Sequence, residues 1–330
     1  MEQSKKHTTI FVIGSLLLLI GGLILAIRLG SVHINFSDIW NSIFNYSETL
    51  ELMLIRDVRI PRALSVLLTG GILGVTGAMI QGVTRNPIAE PSILGVSQGA
   101  TLVIAIFYVT GVAINTQNVM IASFIGALVT GIIVLGFISK KANNNSIAKI
   151  LLAGTAMSTF FISLTTVIGL LSNQSQMIGF WVSGGFRNAS WSDFNLVFIV
   201  GIIGLIIAIL LSPKINILNL GDDVAIGLGE NPEKIRFLTL MVMIPMCAAA
   251  VAVGKNIAFV GLIVPQIAKG IVGSDYKYII PSSLVLGAVL LVYTDILSRM
   301  INPPYETPVG SITALIGVPI FIYLVRKGEK

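Results

Sequence analysis

The sequence is poor in charge. Only 11% of its 330 residues are Asp, Glu, Lys or Arg, 55% are hydrophobic, and the mean hydropathy is +0.92. Soluble globular domains carry about 25% charged residues, so a soluble protein is excluded. The strands of transmembrane barrels are about ten alternating residues long, whereas the apolar runs here are longer and continuous. Composition therefore predicts an all-α integral membrane protein.

Cysteine and histidine are nearly absent as well. The one cysteine, Cys247, has no partner for an intrachain disulfide, and its apolar neighbours predict a small core residue. His7 and His33 lie far from any carboxylate cluster, and no set of His, Cys, Asp and Glu shows metal-ligand spacing. We therefore expect no metal and no cofactor.

Motifs for catalysis and nucleotide binding are missing too. The sequence contains no G-x-x-x-x-G-K-[ST] phosphate loop, no nucleophile elbow and no zinc-protease motif. It also lacks a basic stripe with interleaved aromatic residues, which is typical of nucleic-acid binding. We expect neither an enzyme nor a nucleic-acid-binding protein.

What the sequence has instead is a series of long apolar runs. The first is longer than the apolar core of a secretory signal, about 7–15 residues, and predicts an uncleaved membrane helix. A membrane helix needs about 20 residues. Ten runs approach that length, at 10–28, 62–83, 92–111, 119–138, 148–171, 194–212, 235–253, 257–272, 279–298 and 308–325. Between the first two, the amphipathic residues 29–57 predict a short helix at the membrane interface.

The distribution of basic residues predicts the orientation. An even number of spans places both termini on the same side of the membrane. With the termini inside, about twice as many lysines and arginines lie inside as outside. This bias is the one that the positive-inside rule describes, so we expect cytoplasmic N- and C-termini.

The stretch from Arg59 to Ala100 is apolar but heavily punctuated. Glycines stand at 70, 71, 74, 77 and 82, and a polar break follows at residues 84–87. Inside a membrane such a break is tolerated only where it is buried in protein or lines a water-filled path. It indicates either a gated pathway, as in the broken helices of transporters, or two ordinary helices joined by a polar loop.

Charged residues near the predicted outer face form two groups. Arg56, Arg59 and Arg62 stand three apart just before the second span, and would share one side of a helix. They indicate either snorkelling to lipid headgroups, which spacing alone slightly favours, or a dock for an acidic partner. Asp295 and Arg299 are four residues apart and predict a structural ion pair.

The longest inner polar insertion runs from residue 216 to 236. We expect Asp222 and Asp223 to cap a short helix, Gly227 or Gly229 to end it, and Pro232 to start the next span. A short helix between two spans is either an element that binds another protein or a solvated connector. The length of the insertion favours the interaction element.

Three ordered motifs resemble one known family. Residues 59–100 match R-[LI]-P-R, a glycine-rich span, and then Q-x-x-x-x-N-P-[LI]-A-x-P-x-[IL]-L-G-V-x-x-G-A. Residues 259–265 match F-[IV]-G-L-[IV]-[IV]-P, with Gln266 where histidine is usual. The third match comprises Asp295, Arg299, Glu306, Pro308, Gly310 and residues 317–321. Across its whole length the chain resembles the FecCD-type permease subunits of bacterial ATP-binding-cassette importers, which include vitamin B12, iron–siderophore and haem permeases.

The resemblance implies an architecture and a set of partners. It implies a vitamin-B12-permease-like fold of ten spans in the bacterial cytoplasmic membrane, paired with itself or a sister permease into a twofold dimer. Two cytoplasmic ATPase subunits would hydrolyse ATP, and a substrate-binding protein would deliver the ligand from outside. In a host with a single membrane, that binding protein would be a lipoprotein.

The resemblance also assigns roles to residues. It implies that Arg59, Arg62 and Arg299 meet acidic residues of the binding protein, with Arg56 a possible addition. It implies ATPase coupling by the segment Leu220, Gly221, Asp222, Asp223, Val224, Ala225, Ile226, Gly227, Leu228 and Gly229. It implies a cytoplasmic gate at Asn86, Pro87 and Ile88, and a second at Asn145 and Ser146. A neutral Gln266 leaves no pH-dependent charge at its position.

These implications favour an ATP-driven importer of an iron(III)–siderophore complex. Haem and cobalamin remain alternatives, because no residue decides among the three. An ion-coupled secondary transporter is a rival class, disfavoured because no buried acidic relay beyond Asp295 is apparent. A second punctuated stretch runs from residue 259 to residue 266 in the last third of the sequence. A purely structural membrane protein is disfavoured by these two broken spans.

Overall fold

The computed structural model describes residues 2–30, 34–111, 115–136 and 146–328, and the regular elements in these ranges are all helices. The first seven are α1 Glu2–Arg28, α2 Phe36–Phe44, α3 Leu50–Met53, α4 Ile60–Thr84, α5 Val96–Thr110, α6 Thr116–Gly136 and α7 Ser146–Leu171. The others are α8 Ser175–Ser183, α9 Trp191–Asn219, α10 Asp222–Gly227, α11 Pro232–Gly254, α12 Val260–Val272, α13 Tyr276–Met300 and α14 Val309–Gly328. A π-helical turn at Leu54–Arg59 leads into α4, and a 3₁₀ turn at Pro91–Leu94 precedes α5.

Each of the ten predicted apolar runs contains a helix in the described part of the chain. Six stretches are long and apolar enough to cross a membrane, namely Leu50–Thr84, Thr116–Gly136, Leu152–Leu171, Trp191–Asn219, Pro232–Gly254 and Tyr276–Met300. The other four runs form shorter apolar helices, at Ile13–Arg28, Val96–Thr110, Val260–Val272 and Val309–Tyr323. The prediction of an all-α protein with about ten apolar helices is confirmed.

Several helix ends differ from the prediction for identifiable reasons. The run predicted from 92 begins as a 3₁₀ turn, and Gly95 has a φ of 71°, so α5 starts only at Val96. Phe259 has a φ of 69°, which delays α12 to Val260. Helix α9 continues past its predicted end at 212 to Asn219, because the side chains of Ile215 and Leu218 remain buried beyond Pro213.

Helix α4 forms the centre of the packing. It contacts α9, α11, α12 and α13. Of the apolar segment with which this helix could cross a membrane, 83% is buried inside the chain. Its glycines allow this close packing. A Cβ atom at Gly77 would collide with the carbonyl oxygen of Gly261 in α12, and one at Gly70 with that of Gly287 in α13. Helix packing by small residues at the interface is typical of membrane proteins.

Two helices are far more exposed. In α7, only 22% of the apolar segment within Leu152–Leu171 is buried inside the chain. The corresponding share for the apolar segment of α9 is also 22%. Leu171 and Leu210 are among the most exposed side chains of these helices, at 83% and 71%. These surfaces are covered by something outside the chain, either lipid or another subunit.

Candidate functional site

An arginine cluster, comprising Arg59, Arg62, Arg299, Asp295 and Glu306, joins the start of α4 to the end of α13. The Arg62 Nη2 atom lies 2.9 Å from Asp295 Oδ1, and Nη1 lies 2.7 Å from Glu306 Oε1. The side chains of Arg62 and Asp295 are 8% and 1% exposed, whereas that of Glu306 is 29% exposed. Arg62 therefore holds one buried and one partly exposed carboxylate.

The other two arginines of the cluster bind the end of α1. Arg299 Nε lies 3.2 Å from Asp295 Oδ2, which confirms the predicted ion pair, and its Nη1 donates to the Leu29 carbonyl at 2.8 Å. Arg59 Nη1 donates to the carbonyls of Ile27 and Arg28, at 2.7 and 2.9 Å. The last carbonyls of a helix have no partner within the helix and carry partial negative charge, so both arginines stabilise this helix end.

The four arginines predicted to dock a partner thus differ in exposure. Arg59, Arg62 and Arg299 are mostly buried and paired within the chain. They still line a cavity of about 150 Å³, together with Val58 and Glu306 among other residues. Arg56 is exposed, and its guanidinium carbon lies 4.5 Å above the ring of Tyr46. The spacing of Arg56, Arg59 and Arg62 in the sequence did not reveal that the last two are buried inside the protein.

The predicted coupling segment forms the short helix α10, bounded by glycines. Gly221 occupies the N-cap position and Gly229 has a φ of 81°; α11 begins at Pro232, as predicted. The prediction that Asp222 and Asp223 cap the helix is wrong. They are its first two residues, and their charges lie where the helix dipole favours them.

Helix α10 presents apolar side chains to its surroundings. Leu220, Val224, Ile226 and Leu228 are between 45% and 68% exposed, and Ala225 is fully buried against the body of the protein. Exposed apolar side chains grouped on and directly beside a short helix are typical of a protein-binding site.

Asp222 ties this helix to two others. Its Oδ1 accepts from Arg236 Nη2 of α11 at 2.7 Å, and lies 2.9 Å from Arg85 Nη2, just beyond α4. The side chain of Arg236 is 5% exposed, and its Nε also donates to the Val83 carbonyl at 3.4 Å. No local sequence pattern indicated these contacts, because the partners are far apart along the chain.

The polar break predicted after the second span is a tight turn, residues 85–90. Arg85 ends α4 with a φ of 53°, and Asn86 Oδ1 accepts from the Ile88 amide at 3.1 Å. Pro87 and Ile88 are exposed. Of the second predicted gate, Asn145 lies outside the described residues, and Ser146 is the first residue of α7.

The two punctuated stretches of the sequence meet at this turn. Gln266 Nε2 donates to Gln81 Oε1 at 2.6 Å and to the Pro87 carbonyl at 3.1 Å. Glu90 Oε1 accepts from the Phe259 amide at 2.6 Å. The 85–90 turn is thus held against α12 by side chains from both stretches. Gln266, the departure from the family motif, supplies one of these bonds.

Lys255, in the connection between α11 and α12, is a further polar residue that no sequence motif singled out. Its Nζ donates to the Gly185 carbonyl at 2.8 Å and lies 5.7 Å from the Trp181 ring centroid. Burial, reinforced by the positive charge of Arg62, lowers the pKa of its ammonium group to about 8. Two cavities of about 500 and 480 Å³ share Lys255 and Trp181 in their walls.

Metal ligands are not grouped in the part of the chain that the structure describes. Those residues contain no set of three or more His, Cys, Asp and Glu side chains that would hold an ion. Cys247 is buried.

Comparison with known proteins places the chain in a family of transporters. The model of the FecCD transport family matches residues 17–327. The iron(3+)-hydroxamate import system permease protein FhuB of Bacillus subtilis is 40% identical over 97% of this chain and 84% of its own length. The Fe(3+)-citrate import system permease protein YfmD of the same organism is 36% identical over 99% of this chain and 97% of its own length.

A haem-iron relative and a solved structure extend the comparison. A protein described as a probable heme-iron transport system permease, IsdF of Staphylococcus aureus, is 33% identical over 100% of this chain and 99% of its own length. A metal-chelate type ABC transporter, solved in an inward-facing conformation, matches with a TM-score of 0.84 at 26% identity. That match covers 97% of this chain and 99% of the other. The chain belongs to the FecCD transport family, as a permease subunit of the ABC importer type.

Proposed function

We propose that this chain forms the translocation pathway of an ATP-driven importer that carries an iron(III)–siderophore complex across the bacterial cytoplasmic membrane. The observation that carries the proposal is the pair of salt bridges that links α10, a short helix with exposed apolar side chains, to α11 and to the 85–90 turn that follows α4. Such a link is what a transporter driven by a separate ATPase requires. A rigid-body movement imposed at α10 would reach the pathway directly.

Each face of the protein then has a partner. The α10 face is cytoplasmic, as the positive-inside rule predicts, and binds an ATPase subunit. The complete complex, with its two permeases, contains two ATPase subunits. The opposite face carries the arginine cluster and receives the binding protein, a lipoprotein if the host has one membrane. A second permease, identical or not, pairs with this chain, and the sparsely buried α7 is a surface available for that contact.

The docking prediction is refined by the burial of the arginines. Arg56, which is exposed, would contact an acidic residue of the binding protein directly. Arg59, Arg62 and Arg299 line the 150 Å³ cavity, and Glu306 is the acidic residue among its described lining residues. Because three guanidinium groups face one carboxylate there, the cavity is suited to an entering carboxylate. The same three side chains hold α1, α4 and α13 together beneath the docking face.

The substrate is proposed from the named relatives. Those with 36–40% identity are described as permeases for iron hydroxamate and iron citrate, which favours an iron(III) chelate. Haem is the second candidate, because the haem-iron relative is 33% identical over the whole chain. A proton-coupled mechanism is disfavoured, since the buried Asp295 is already paired with Arg62 and Arg299.

The α10 assignment is tested by co-purification of the ATPase. Replacing the exposed Ile226 and Leu228 by Asp should abolish stoichiometric recovery of the ATPase with the permease. Leu50, 84% exposed on the opposite face, provides the matched control, because Leu50→Asp changes the same chemistry away from α10. ATPase recovery that is unchanged by the double α10 variant would contradict the assignment.

A further inference from the structure

The contacts of Asp222 differ from those of the other residues of α10. Within the described chain, Asp222 is the residue of this helix that enters salt bridges, and it enters two, with Arg85 and with Arg236. Its neighbour Asp223 is exposed and takes part in no salt bridge among the described residues. One carboxylate thus joins three separate elements.

The two arginines hold Asp222 in different ways. Arg236 is 5% exposed, and its second contact with the Val83 carbonyl fixes it against the end of α4. The side chain of Arg85 is 38% exposed, and Arg85 is the first residue of the 85–90 turn. Arg236 therefore forms the fixed side of the junction, and Arg85 the side that belongs to the turn.

From Arg85 the bonds continue through the turn to α12. Pro87 accepts from Gln266, and Glu90 accepts from the amide of Phe259. The turn is bound at its beginning by Asp222 and at its middle and end by α12 and the residue before it. A displacement of α10 would therefore pull on one end of a segment whose other end is anchored.

We propose that Asp222 is a positioning residue that makes α10 and the 85–90 turn move together, so that its loss uncouples ATP hydrolysis from substrate release. This inference rests on the proposed function. It adds that the ion pair with Arg85, and not the apolar surface of α10, transmits the movement to the gate. The apolar surface holds the ATPase in place.

The test uses the complete complex of permease, ATPase and binding protein in proteoliposomes, with ATP hydrolysis and iron–chelate uptake measured together. Asp222→Asn should leave ATPase co-purification, thermal stability and hydrolysis rate close to wild type. It should reduce substrate transported per ATP by about tenfold, within the usual range of coupling between two sites. Glu48→Gln, which removes an exposed carboxylate between α2 and α3, should leave this ratio unchanged.

A second variant separates the two arms of the junction. Arg85→Asn removes only the arm that reaches the turn, and Asn tolerates the left-handed backbone at this position. It should reproduce most of the uncoupling. The double variant that combines Asp222→Asn with Arg85→Asn should transport as much substrate per ATP as Asp222→Asn alone, as expected when both substitutions remove the same interaction. This variant also decides the question if Asp222→Asn fails to assemble.

The outcomes distinguish the inference from the proposed function. If the wild-type complex shows no ATP-dependent uptake of any iron chelate, the proposed function fails. If the wild type transports and both Asp222→Asn and Arg85→Asn keep its transport per ATP, only the inference is overturned. A uniform loss of hydrolysis and transport in Arg85→Asn, with the ATPase detached, would also overturn it, since this would indicate a role in assembly.

Discussion

Arg62 is held between two carboxylates that differ in burial, and this difference can be measured. Asp295 is 1% exposed and also faces Arg299, so Asp295→Asn leaves two buried guanidinium groups short of charge compensation. Breaking a buried pair from one side costs about 3–5 kcal/mol. Glu306 is 29% exposed, and Glu306→Gln should cost about 1 kcal/mol or less.

Unfolding of the two variants in detergent, followed by helical circular dichroism, provides this measurement. The arrangement predicts a much larger loss of unfolding free energy for Asp295→Asn. Equal losses for the two variants would show that Glu306 contributes as much to the stability of the cluster as its buried counterpart.

Lys255 should make stability depend on pH. Its pKa in the folded protein is about 8, below its ordinary value of 10.5, so the unfolded chain binds this proton more tightly. Stability therefore rises as pH increases from about 8 towards 10.5. Lys255→Met removes this contribution, so the melting temperature of wild type minus that of the variant should increase with pH across this window. A difference that stays constant between pH 7 and 9.5 would contradict the burial of the ammonium group.

At the residue scale, the sequence predicted local partners but not distant ones. Asp295 and Arg299 are four residues apart on one helix, so their pairing was visible in the sequence. The pairing of Arg62 with Asp295 links positions 233 residues apart, and no local pattern records such a contact. The inward orientation of Arg59 depends on where α1 ends, which is likewise a tertiary property.

At the scale of elements, the glycines of α4 set the distance to its neighbours. A methyl group at Gly77 meets the backbone of Gly261, which has no flexible side chain to move aside. Gly77→Ala should therefore separate α4 from α12 and destabilise the protein by about 1–3 kcal/mol. At Gly270, also in α12, no neighbouring atom lies within 4 Å of the position that a methyl group would occupy, so Gly270→Ala should stabilise by about 0.5–1 kcal/mol.

These two variants are compared by thermal unfolding in the same detergent. Opposite signs are expected, because both substitutions remove the flexibility of a helical glycine and only one creates a steric clash. If both variants were stabilised, α4 and α12 would have to lie further apart than in this structure.

The helices themselves were predictable from apolar run length, whereas their irregular ends were not. The Asn86-Pro87 break was visible because proline and asparagine are typical of turns. The late start of α12 depends on a left-handed Phe259, a residue type that does not indicate such a conformation. The backbone amide of Phe259 donates a hydrogen bond to Glu90, and this contact between the two punctuated stretches accompanies the unusual backbone.

At the scale of the molecule, the uneven burial of the helices indicates an assembly. The apolar segment of α4 is 83% buried, whereas those of α7 and α9 are 22% buried. One side of the helix bundle is therefore covered by the chain itself, and another side is not. Sequence motifs predicted the family and its partners through resemblance. Hydropathy alone did not separate a lipid-facing helix from a subunit-facing one, because both surfaces are apolar.

In the proposed function, ATP hydrolysis by a partner moves an iron(III) chelate through this chain. The most direct measurement is uptake of radiolabelled iron, supplied as hydroxamate, citrate and haem complexes, into proteoliposomes containing the complete complex. The proposal predicts uptake of an iron(III) chelate that requires hydrolysable ATP and stops with a non-hydrolysable analogue. Uptake that proceeds without ATP and follows an imposed ion gradient would contradict it.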